Sequence, residues 1–179
     1  MKRWIWVLVP ALLLSLYAGC SKKEETLQAQ KEEAKGEQLR PYDETADAHQ
    51  DIQRAIERAS MTNKRILLIF GANWCPWCVA LHKLFETNEQ IHSYLQKHFE
   101  VVLIDVGKKD KNLDLNEKYG NPIQNGIPVI VVLDSNGEFL AVQETGSLEK
   151  PVKEGEEKGH DPEKVMQFLR KWGERPQSS

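Results

Sequence analysis

Two cysteines lie two residues apart in Trp74-Cys75-Pro76-Trp77-Cys78, a spacing that suits a thiol pair able to close and reopen a small ring. If Cys75 opens a helix, the unpaired backbone N–H groups and the positive dipole end favour its thiolate. A dipole contribution of about 1 kcal/mol lowers a thiol pKa by somewhat under one unit, so local hydrogen bonds must supply the rest. The Cys75 thiolate would attack a partner disulfide, and Cys78 would resolve the mixed disulfide by closing the ring. Pro76 is tolerated in a first helical turn because its missing N–H has no partner to lose there. Trp77 is placed to influence thiolate stability and redox potential.

Other uses of the pair are a permanent structural disulfide, half of a zinc site, or a haem attachment site. Zinc needs two more ligands and there is no second cysteine pair; haem attachment needs His after the second Cys, where Val79 stands. A structural bridge closing so short a loop adds little chain-entropy stabilisation.

The elements that must position the pair are legible around it. Ile66 to Phe70 and Val129 to Leu133 are continuous apolar runs, and Val101 to Ile104 has the same character. Such runs read as strands buried on both faces of a sheet, and helical segments alternate with them. Ala48, Ile52, Ala55, Ile56 and Ala59 recur at helical spacing behind possible caps at Asp43 and Thr45. Val79, Leu81, Leu84 and Phe85 continue helically from the cysteines. Asn88 can cap a helix carrying Ile91, Tyr94 and Leu95, and another covers Leu113 to Tyr119. After the third strand, Asn136-Gly137 supplies the positive φ angles of a tight hairpin, so Glu138 to Gln143 returns antiparallel. Thr145 to His160 reads as a surface loop, and Asp161-Pro162 starts a closing helix with Val165, Phe168, Leu169 and Trp172 on one face.

Residues 1–19 read as a signal peptide: basic Lys2 and Arg3, then a 14-residue largely apolar run from Trp4 to Tyr17, shorter than a spanning helix needs. The competing reading is an uncleaved anchor. Leu16-Tyr17-Ala18-Gly19-Cys20 resembles the lipobox of bacterial lipoproteins, which implies lipidation at Cys20, although Tyr17 replaces the usual Leu. Ser21 then resembles lipoproteins sent to an outer membrane. Residues 20–41 hold the lipidated Cys and a charged tether, or a short solvated helix, reaching about 25 Å as a coil. A single domain spans 42–175, and 176–179 form a disordered tail. The net charge of −3 falls further without Lys2 and Arg3, so no basic face for nucleic acid is evident.

Gly71-Ala72-Asn73-Trp74-Cys75-Pro76-Trp77-Cys78, with Gly126-Ile127-Pro128 before the third strand, resembles the thioredoxin superfamily from about Asp47 to Trp172. The resemblance implies an α/β thioredoxin-like fold, a central mixed β-sheet flanked by helices. It implies a cis Pro128 facing the redox pair, Ile127 backbone pairing with an extended substrate, and a Trp74 ring flanking the cysteines. The competing reading of Trp74 is a core aromatic. Thioredoxins usually carry a buried acid where Ile69 stands, so proton transfer from Cys78 must use water or another base, with slower resolution expected. The five histidines are assigned no catalytic role, and Lys108 to Lys111 reads as a solvated charge run.

The leading functional expectation is a membrane-anchored reductase or exchange enzyme in the cell envelope, in the periplasm or on the outer surface. Its substrates would be cysteine-containing envelope proteins, and a membrane thiol carrier would supply electrons. No cofactor beyond the Cys75–Cys78 disulfide is expected. The alternatives are a disulfide oxidase or isomerase, and a non-catalytic peptide-binding module.

Overall fold

The computed structural model describes residues 39–151 and 158–174; the signal, lipobox and C-terminal tail expectations lie outside the described residues, as does most of the tether. Helix α1 (Ala48–Thr62) leads into β1 (Arg65–Gly71), followed by α2 (Pro76–Thr87), α3 (Glu89–His98) and β2 (Phe99–Asp105). The short α4 (Leu113–Lys118) and a 3-10 turn at Pro122–Asn125 precede β3 (Val129–Leu133), β4 (Phe139–Glu144) and the closing α5 (Pro162–Gly173). The sheet order is β2-β1-β3-β4, with β1 parallel to β2 and antiparallel to β3, and β3 antiparallel to β4. The fold is the expected α/β one, a mixed four-stranded sheet between helices.

Alternation along β1 explains the two-sided core. Ile66, Leu68 and Phe70 join Ala48, Ile52, Ala55 and Ala59 of α1 and Leu115 of α4 on one face. Leu67 and Ile69 meet Leu81, Phe85, Ile91, Leu95, Val165, Phe168 and Leu169 of α2, α3 and α5 on the other.

Three local expectations need correction. Asp47, not Asp43 or Thr45, caps α1, its carboxylate accepting from the His49 and Gln50 N–H groups at 3.0 and 3.1 Å. Asp43 instead folds a local turn by accepting from Thr45 N at 2.8 Å. Strand β2 is not buried on both faces: it lies at the sheet edge, where Val101 keeps 37% of its surface exposed and Leu103 is only partly covered. In the β3–β4 hairpin Gly137 alone has positive φ, at 85°. Asp134 Oδ1 accepts from Asn136 N and Glu138 N, while Gly137 N donates to Asp134 O at 3.2 Å. The side chain of Asp134 organises a longer turn, so Asn136 needs no left-handed conformation.

Candidate active site

Cys75 is the N-cap of α2, with extended backbone angles (φ −88°, ψ 110°), and Pro76 occupies the first turn. Cys78 N–H points at Cys75 Sγ from 3.2 Å. In the reduced form that N–H stabilises a Cys75 thiolate as an N-cap acceptor, adding the local hydrogen bond that the dipole alone lacks. The two sulfurs are joined as a disulfide with the Cα atoms 5.3 Å apart. Cys78 is wholly buried, whereas Cys75 retains slight exposure.

The Ile127–Pro128 peptide is cis, and the Ile127 carbonyl oxygen stands 3.5 Å from Cys75 Sγ. The Thr145 hydroxyl donates to the Pro128 carbonyl, tying the loop to the start of the segment after β4. Ile127 is half-buried and packs against the cysteines, while Pro128 is buried. The loop before β3 and the N-terminus of α2 thus meet at one end of the sheet.

Trp74 is 56% exposed, which excludes a core role, and its ring is pinned by Nε1 donating to Gly107 O at 2.7 Å. Pro76 is exposed. The half-buried Trp77 packs edge-on against His160, with ring centroids 5.7 Å apart, and Lys158 Nζ lies 5.8 Å from its ring.

Three groups near the pair were not anticipated from sequence. His160 is only 4% exposed, neither ring nitrogen has a hydrogen-bond partner among the described residues, and burial pushes its pKa down to about 4. Tyr42 is 2% exposed and packs against both cysteines. Its backbone is clasped by Asn73, whose Oδ1 accepts from Tyr42 N at 3.0 Å while Nδ2 donates to Tyr42 O at 2.8 Å. Asp105 is 6% exposed at the end of β2 and accepts from Lys111 Nζ at 2.9 Å, so Lys111 belongs to the site's surroundings rather than to a freely solvated run. The only advance signal was Asn73 inside the segment that resembles the superfamily. Ile69 is buried apolar in the core facing α2, with no acid in β1. Among the described residues no group of three or more His, Cys, Asp or Glu side chains could hold a metal ion.

A family model described as thioredoxin-like matches residues 47–135. The crystal structure of a disulphide isomerase from Xylella fastidiosa Temecula1 is 38% identical, covering 75% of this chain and 97% of that one, with a TM-score of 0.64. The germline-specific thioredoxin Deadhead from Drosophila melanogaster is 26% identical over 69% of this chain and 93% of its own, with a TM-score of 0.46. No curated protein matches. With a bonded cysteine pair at the N-terminus of the helix that follows β1, this chain belongs to the thioredoxin-like family and is a thiol–disulfide oxidoreductase.

Proposed function

We propose that this protein reduces or exchanges disulfides of cell-envelope proteins through Cys75 and Cys78, tethered to a membrane by a lipidated Cys20. The observation that carries the redox part is the Cys75 sulfur at the helix N-cap, 3.2 Å from Cys78 N and 3.5 Å from the Ile127 carbonyl. Cys75 thiolate attacks one sulfur of the substrate disulfide and forms a mixed disulfide, releasing the other sulfur as a thiolate. Cys78 thiolate then attacks Cys75 Sγ, the substrate leaves as its second thiolate, and the enzyme pair is oxidised by two electrons. Ile127 and the cis Pro128 hold an extended substrate segment beside the sulfurs. Trp74 offers an exposed apolar surface next to it, and Pro76 and Trp77 tune the thiolate. A membrane thiol carrier restores the dithiol, and no other cofactor is needed.

The envelope location is supported by the signal-like N-terminus and by an oxidising compartment being where disulfide substrates persist. Among the described residues no helix is long and apolar enough to cross a membrane. A specific observation favours a second reading, isomerase, because the 38% identical relative is described as a disulphide isomerase. Redox titration of the pair separates the directions. A potential of about −270 mV is expected for a reductase, whereas about −180 mV, that of protein disulfide isomerase, favours the second reading and about −120 mV marks a strong oxidant; either of the latter removes the reductase reading. Cys75→Ser should abolish insulin reduction; equal activity in that variant would remove Cys75 from the mechanism.

A further inference from the structure

Gly71 closes β1, and a Cβ built on it would overlap the Tyr42 hydroxyl and come within 3.0 Å of Cys78 Sγ. The hydroxyl therefore fills the space of the missing side chain, next to the resolving sulfur. Gly71 is also the register partner of Asp105 on the parallel neighbour β2. Paired residues of adjacent strands present their side chains on the same face, so the Asp105 carboxylate flanks the same notch. Burial, with a smaller contribution from the negative charge of Asp105, holds the Tyr42 phenol well above the ordinary tyrosine range. Beyond Asp105, a cleft lined by Asp43, Glu44, Leu103, Lys111 and Asn112 opens to solvent.

The geometry points to Tyr42 and Asp105 as the proton path from Cys78, standing in for the acid that β1 lacks at Ile69. This rests on Cys75 as nucleophile and Cys78 as resolving thiol. In the mixed disulfide, Cys78 Sγ–H gives its proton to Tyr42 Oη as the phenol proton passes to the Asp105 carboxylate. The freed thiolate pair attacks Cys75 Sγ; the Cys78–Cys75 bond forms, the bond from Cys75 to the substrate sulfur breaks, and the substrate leaves as thiolate. Asp105 then returns its proton through the cleft to solvent or the departing thiolate. Lys111 is held in its charged form chiefly by the hydrogen bond it donates to Asp105 at 2.9 Å. Among the described residues the other charged groups at the cleft and around Lys111 are Glu44, Asp43 and Asp110, and α2 brings Cys78 and Trp77 to this cluster. Tyr42 is the catalytic residue of this step, and Asp105 acts through it.

Quenched-flow measurement of mixed-disulfide lifetime with a disulfide peptide, on the full chain, tests the path. In Tyr42→Phe and in Asp105→Asn, resolution at about pH 7 should slow by at least about tenfold, with formation of the mixed disulfide unchanged. The double variant should be no slower than the worse single one. The gap from the parent should narrow as pH is raised, because rising hydroxide increasingly substitutes for the lost internal base. Parent-like resolution in either single variant at about pH 7 overturns the path alone. Absence of any mixed disulfide on Cys75 in Cys78→Ser overturns the nucleophile assignment and the path with it.

Discussion

His160 gives the fold a dependence on pH that one substitution should remove. Its imidazole is buried against Trp77 without hydrogen-bond partners among the described residues, and burial lowers its pKa from 6.5 to about 4. Above pH 6.5 the ring is neutral in both folded and unfolded chains and this group contributes no pH dependence. Between pH 6.5 and about 4 the unfolded chain takes up a proton that the folded one excludes, so stability falls as pH falls. The full displacement corresponds to about 3 kcal/mol, and partial hydration of the charged ring in a relaxed structure reduces this to about 2 kcal/mol. Urea unfolding followed by tryptophan fluorescence at about pH 7.5 and 4.5 measures the loss in the parent and in His160→Phe. The parent should lose about 2 kcal/mol more than the variant across that interval. His82 and His98, also held low by burial, act in the same window, and Glu149, raised by burial, acts against it. All three are present in both proteins and cancel in the comparison. Asp43 and Asp47, lowered by hydrogen bonds to their carboxylates, lose their contribution as pH falls through still lower values. Equal losses in parent and variant would refute the burial argument for His160.

Two further substitutions probe how the site is held. Gly71→Ala must displace the Tyr42 ring from its place against Gly71; overpacking of this kind should cost about 1–3 kcal/mol, and an unfolding midpoint equal to the parent's would contradict the close approach. Asp47→Ala removes two N-cap hydrogen bonds and should lower the midpoint of chemical denaturation, whereas Asp43→Ala should leave α1 intact by circular dichroism; the reverse ranking would restore the cap first read from sequence.

What could be read in advance follows from the range over which each signal acts. The runs Ile66 to Phe70 and Val129 to Leu133, the Asn88 and Asp161 caps, and the Cys75 helix start are short-range patterns, and the structure carries each of them. The β2 misreading arose because composition reports apolarity but not place in the sheet; an edge strand can be apolar and still expose Val101. The hairpin misreading arose because Asn-Gly was taken at face value while Asp134, two residues earlier, captured two backbone N–H groups. Tyr42 and Asp105 stayed hidden for a different reason. They lie 36 and 27 residues from Cys78 in the chain, and neither makes a local pattern with it. The β1–β2 register brings Asp105 beside Gly71, and the Asn73 clasp together with packing on the cysteines holds Tyr42 over it. The absence of an acid at Ile69 was therefore a local fact with a non-local answer: a glycine that leaves room, a tyrosine that enters, and a carboxylate on the next strand.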